Sequence, residues 1–185
     1  MKIRTFFLIP LGFLVLPAFA GDVPGIGNFY QVSSHVYRGA QPTADGFRYL
    51  SGIGVKTVID LREHDGRSVA EEHMVTAAGM RYVNVPMSGL TPPTATEIER
   101  ILTILEDETG GPVFVHCKRG ADRTGSVIAA YRIDHDRWDN ARALQEANAD
   151  HMGALQSPRR QYIRSFQPRA ASAPATADSV AGAKN

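Results

Sequence analysis

An apolar, β-branched run, Val113-Phe114-Val115-His116-Cys117, passes directly into the polar loop Lys118-Arg119-Gly120-Ala121-Asp122, and then into Arg123-Thr124-Gly125-Ser126 followed by VIAAYRI. The spacing predicts a buried strand, a short loop and a helix over Thr124 to Asp136. A strand of this kind has no polar face to give to water, so it needs strands on both sides and helices over both faces. That requirement narrows the chain to an α/β layer.

Two more runs read as buried strands, Lys56 to Leu61 and Arg81 to Val85. Helices are expected at Thr43 to Ser51, Val69 to Ala78, Thr94 to Asp107, Asn140 to Ala149 and Pro158 to Phe166. The helix over 94–107 is the plainest, with Ile98, Ile101, Leu102 and Leu105 on one stripe and Glu97, Glu99, Arg100, Glu106 and Asp107 on a solvated face. Strand and helix alternate, which predicts a mostly parallel sheet.

The ends differ from this middle. Lys2 and Arg4 precede an apolar run from Phe6 to about Leu16 that closes on Ala18-Phe19-Ala20, the three-part pattern of a secretory signal peptide. The expectation is cleavage near Ala20 and a periplasmic or secreted product with no stable membrane span, the alternative being an uncleaved anchor. Residues 21–31, rich in glycine, are expected to form a loosely packed amino-terminal arm, 32–167 the folded domain, and 168–185 a disordered tail of small polar residues.

Among 185 residues there are 20 basic and 19 acidic side chains and a single cysteine. The balanced charge provides no field for nucleic acid, so anion binding must be local. One cysteine excludes an internal disulfide. Cys117 is therefore an oxidisable thiol in an exported chain, which calls for a chemical reason.

The loop supplies one. Backbone N–H groups between a strand end and a helix start can converge on one point, where the helix adds its positive dipole end. Cys117 lies beneath that point, and positive potential favours its thiolate. Arg123, six positions on, can return over the loop with a planar fork for two phosphate oxygens. Gly120 allows close backbone approach. Thr124 is expected to cap the helix and donate to the sulfur, and His116 to organise the loop. Lys118, Arg119 and Ala121 complete the substrate-binding loop, with the side chains of Lys118 and Arg119 directed either to an anionic substrate or outward.

The stretch HCKRGADRTG resembles the HCxxGxxR signature loop of the protein tyrosine phosphatase superfamily, particularly its dual-specificity and atypical bacterial members. Val36-Tyr-Arg-Gly-Ala-Gln-Pro42 and Val58-Ile-Asp-Leu-Arg62 are similar to two strands of the bacterial group, so the resemblance covers about Tyr30 to Phe166. It implies a central four- or five-stranded sheet with helices on both faces, a phosphocysteine intermediate and no cofactor. It also implies a phosphorylated protein, inositol or lipid as substrate.

The resemblance further implies an aspartate acid on a loop before the cysteine, yet Val85 to Pro93 contains no Asp or Glu. Two substitutes are open: Asp122, placed as in myotubularins, which reads equally as a loop brace, and Asp65, which reads also as part of a solvated turn. The missing acid leaves a phosphate-binding pseudophosphatase as the alternative function, and a rhodanese-like sulfurtransferase as a third. Zinc-type cysteine spacing, a GxGxxG run and a Walker loop are absent from the sequence, so no metal ligand set is expected.

Overall fold

The computed structural model describes residues 23–169. The expected signal peptide at 1–20 and most of the expected tail lie outside them. In chain order the elements are β1 (Tyr30–Gln31), β2 (Val36–Ala40), α1 (Ala44–Gly52), β3 (Thr57–Asp60), α2 (Gly66–Ala77) and β4 (Arg81–Asn84). There follow α3 (Ala95–Glu106), a 3-10 turn (Glu108–Gly110), β5 (Val113–Cys117), α4 (Asp122–Asp134), α5 (Asn140–Ala149) and α6 (Ser157–Ser165).

The strands form one five-stranded sheet in the order β1-β2-β5-β3-β4. All pairs are parallel except β1 with β2. Every residue of β5 and β3 is buried, as continuous apolar runs in the centre of a parallel sheet require. Register aligns Ala40 and Cys117 across β2 and β5, and Asp60 and His116 across β3 and β5. The carboxyl ends of three strands therefore meet at one rim, where open α/β sheets place their ligands.

Helices cover both faces. Ile98, Ile101, Leu102 and Leu105 of α3 and Val127, Ile128 and Tyr131 of α4 pack on Ile59, Val83, Val113 and Val115. On the other side Phe47 and Leu50 of α1 and Val75 of α2 pack on Val58 and Phe114. A third cluster joins α4 to α5 and α6 through Ile133, Ala143, Ala147 and Ile163. Helix starts follow local chemistry: Thr94 and Glu97 form a reciprocal capping box, the Thr94 N–H reaching Glu97 Oε2 at 2.6 Å, and Asp139 caps α5.

Three expectations change. The arm is not loose, because Ile26 and Phe29 enter the α1/α2 core, while Gly25 and Gly27 carbonyls accept from Thr43 and Ala40 N–H at 2.9 and 2.7 Å. Its last two residues are β1. At the other end Arg169 belongs to the domain, its Nε bonding Asp134 Oδ2 at 2.8 Å. Helix α4 begins at Asp122, two residues before the expected Thr124, with Ala121 at the cap and no side chain satisfying it. No helix of the described residues is long and apolar enough to cross a membrane.

Candidate active site

Cys117 ends β5, and strand alternation sends its side chain to the face covered by α3 and α4. His116 points to the opposite face, stacked on Phe114. The loop that follows is held by its carbonyls. Gly120 O accepts from Arg38 Nη2 at 2.6 Å and Asn28 Nδ2 at 3.0 Å, and Lys118 O from the Gln41 N–H at 3.4 Å. Arg38 is itself fully buried and fixed by Asp150 at 2.5 Å. With carbonyls turned to the scaffold, N–H groups face the other way, toward the sulfur.

Gly120 makes the turn possible, at φ 69°. A Cβ there would strike the backbone of Gly39 and Ala40, so the loop needs glycine for both conformation and space.

Burial raises the Cys117 thiol pKa, but the Thr124 hydroxyl, hydrogen bonds from the Thr124 and Arg119 N–H groups and the charge of Arg123 outweigh it. The net direction is below the ordinary thiol value. Thr124 lies inside the first turn of α4 rather than at its cap; its buried hydroxyl has no hydrogen-bond partner among the described residues and contributes to lowering the thiol pKa of Cys117. The uncapped turn leaves its backbone donors available to an anion.

Arg123 Nη1 donates to Leu61 O at 3.4 Å and Met87 O at 3.3 Å, which fixes the guanidinium between β3's exit and the segment after β4. Cys117, Arg123 and Thr124 thus meet at one junction of strand, loop and helix. Ala121 is buried at the helix cap, while Lys118 and Arg119 are exposed. Arg119 turns outward to pair with Asp122.

Asp122 is placed as a brace: one carboxylate oxygen takes Arg119 and the other the Gly153 N–H at 2.8 Å. Asp65 caps α2 through Arg67 and Ser68 N–H, and its pairing with Arg67 holds its pKa at about 2. A carboxyl so acidic is unprotonated at neutral pH. The segment after β4 brings no carboxylate, residues 85–93 holding neither Asp nor Glu; its Ser88 hydroxyl accepts from Leu90 and Thr91 N–H, and its carbonyls at Met87 and Ser88 accept from arginines. Glu63, exposed after β3, has a carboxylate oxygen 3.9 Å from the point a Cβ on Gly89 would occupy in that segment.

Sequence reasoning missed the layer beneath the loop. His116 Nε2 lies 2.7 Å from Glu71 Oε1, and Arg62 Nη2 bridges Glu71 and Asp60 at 2.6 and 2.7 Å. Tyr82 adds its hydroxyl to Asp60 at 2.9 Å. Burial lowers the His116 pKa, yet Glu71 and then Asp60 reverse this and hold it above the ordinary value. Asp60, Glu71 and His116 gather three side chains of the kinds that ligate metals, but the Arg62 guanidinium already pairs with both carboxylates and His116 with Glu71. The only sequence signal for Glu71 was its spacing with Ser68 and Val75 on the inner face of α2.

The family model for a DSP-PTPase phosphatase fused to NAD+ kinase matches residues 28–165. The chain belongs to this DSP-PTPase family. Among curated relatives, the dual specificity protein phosphatase TpbA of Pseudomonas aeruginosa strain UCBPP-PA14 is 34% identical over 130 residues, 70% of this chain and 57% of the relative. The inositol diphosphatase DSP5 of Arabidopsis thaliana is 28% identical over 128 residues, 64% of this chain and 59% of the relative. The chain thus spans under two thirds of both. A crystal structure of P. aeruginosa TpbA superposes with a TM-score of 0.69 at 31% identity, covering 81% of this chain and 90% of that one. The DSP-PTPase fold accounts for the five-stranded sheet and the strand-loop-helix that carries Cys117.

Proposed function

We propose that the chain is a cysteine-dependent phosphatase that cleaves phosphate monoesters and anhydrides through a phosphocysteine intermediate. The observation that carries this is the placing of Cys117 at the end of β5 before an uncapped helix start, where the Thr124 hydroxyl and the charge of Arg123 favour its thiolate. The thiolate attacks phosphorus and the phosphorus–oxygen bond to the leaving group breaks, that oxygen departing as its anion and taking up a proton from water. Water then attacks the phosphocysteine and releases phosphate, the departing thiolate being stabilised by the Thr124 hydroxyl.

The tied positions of Asp122 and Asp65 bear on substrate. A leaving group that departs readily without a proton donor is a phosphate, which titrates near neutrality, and next a phenolate with pKa about 10. An alkoxide from phosphoserine is far more basic. We therefore favour diphosphate or aryl phosphate substrates, inositol diphosphates and phosphotyrosine among them. The names of the two curated relatives, a dual specificity phosphatase and an inositol diphosphatase, support the same range. The same observation favours the pseudophosphatase as second reading, in which the loop binds phosphate without turnover. The basic and apolar pattern of 1–20 supports action in the periplasm or outside the cell.

Hydrolysis of p-nitrophenyl phosphate by the purified chain, abolished by Cys117→Ser, tests the phosphatase. Phosphate binding without hydrolysis of aryl or diphosphate substrates would leave the pseudophosphatase. Cell fractionation, with the amino-terminal sequence of the product, tests export.

A further inference from the structure

Three arginines of the described residues are buried: Arg38, Arg62 and Arg159. Arg38 faces Asp150, and Arg62 faces Asp60 and Glu71. Arg159 differs. Among the described residues it has no carboxylate within ion-pair distance, although none of its surface is exposed. Its Nε donates to Gln156 Oε1 at 3.1 Å and its Nη2 to Ser88 O at 2.5 Å, and its buried Nη1 has no partner among the described residues.

A buried cation without a counter-charge is costly, and so is a buried N–H without an acceptor. Consecutive carbonyls after β4 are each held by a guanidinium, Met87 O by Arg123 and Ser88 O by Arg159. Two arginines thus stand side by side along one short segment, and one of them is the phosphate arginine of the Cys117 loop.

We propose that Arg159 is a second phosphate-binding residue of this site, with the Nη1 donors reserved for an oxygen of the substrate anion that serves as its counter-ion. This rests on the reading of the Cys117 loop as a phosphate site. Burial and the nearby Arg123 cation depress the Arg159 pKa, while Asp122 and the Cys117 sulfur act in the opposite sense, so the guanidinium shares the field of the catalytic groups. An incoming dianion relieves the repulsion between the two arginines and accepts the idle N–H. Lysine in its place would keep a charge but lose the fork that holds Ser88 and the anion together.

The test is tungstate binding by calorimetry, together with the pH midpoint of Cys117 alkylation, in wild type, Arg159→Met, Arg159→Gln and Arg159→Lys. The expected result is a loss of about tenfold to a hundredfold in tungstate affinity for Met and Gln, as for a lost charge-assisted hydrogen bond, with partial recovery in Lys. The alkylation midpoint rises in Met and Gln, a change that a merely structural arginine would not produce. Circular dichroism identifies folded variants, and Gln serves if Met does not fold. A folded Met or Gln variant with tungstate affinity within twofold of wild type, and an unchanged midpoint, overturns this role alone. Wild type that neither binds tungstate nor hydrolyses p-nitrophenyl phosphate overturns the phosphate site and this role with it.

Discussion

His116 and Cys117 are neighbours on β5 whose side chains leave opposite faces of the sheet, the imidazole to Glu71 at 2.7 Å and the sulfur to the Thr124 hydroxyl and the charge of Arg123. One strand end therefore joins two charge systems. The Cys117 sulfur faces the α4 side, and a buried network of Asp60, Arg62, Glu71 and His116 anchors the strand from the other.

That network sets the first prediction, for stability against pH. Glu71 and Asp60 raise the His116 pKa above its ordinary value, so the ion pair contributes fully below about 6.5 and is lost as pH rises through the folded value. Asp60 behaves oppositely. Burial raises its pKa, but the Arg62 hydrogen bonds and the His116 charge bring it below the usual carboxylate value, so its contribution holds above about 4 and is lost in acid. In urea titrations the stability difference between wild type and His116→Gln should be larger at pH 6 than at pH 9. Glu71→Gln, which leaves Arg62 and His116 short of an anion, should cost about 3 kcal/mol at pH 6.

A second prediction concerns the thiolate. Alkylation of Cys117 by iodoacetamide should follow a midpoint below the free-thiol value of about 8.5. Thr124→Ala should shift that midpoint upward and slow p-nitrophenyl phosphate hydrolysis about tenfold or more, whereas Thr124→Ser keeps the donor and both properties. An unshifted midpoint in Thr124→Ala would remove the hydroxyl from the mechanism.

The parts legible in the sequence were those in which one residue type has one use. VFVHC and TVID could only be buried strands, and the stripe Ile98, Ile101, Leu102, Leu105 could only be a helix face. Glycine hid the amino-terminal arm: Gly25 and Gly27 weaken any local pattern, while the burial of Ile26 and Phe29 comes from distant partners. Cys117, Arg123 and Thr124 were readable because their spacing is local. Glu71 and Arg159 were not, because a charge on a short helix looks solvated until the fold places an arginine beside one and the segment after β4 beside the other.

A third prediction separates conformation from packing at the loop. Gly120→Ala meets a positive φ and the backbone of two neighbours, so it should destabilise by at least about 1–3 kcal/mol and eliminate hydrolysis. Gly66→Ala is the control, since an added Cβ there meets nothing within 4 Å at the start of α2. It should be neutral or stabilising by about 0.4–1 kcal/mol. Thermal unfolding and hydrolysis measured on both variants would separate the two effects.

The last prediction addresses protonation of the leaving group. Asp122 spends both oxygens on Arg119 and Gly153, and Asp65 is fixed to α2 by Arg67, so neither is free to follow a departing oxygen. Without a donor, the rate must fall steeply as the leaving group becomes more basic. Across a series of aryl phosphates, log kcat/KM should decline with leaving-group pKa, and phosphoserine peptides should be the poorest substrates. Asp122→Asn should leave that slope unchanged while lowering stability, because its role is to hold the loop against the segment before α6. Glu63→Gln is the informative counterpart, because its carboxylate reaches the Gly89 side of the segment after β4. A slope that steepens in Glu63→Gln, with loss confined to basic leaving groups, would make Glu63 the proton donor. An equally steep slope in wild type and both variants would mean that the leaving group departs as its anion, which a phosphate or an activated phenolate can do and an alkoxide cannot.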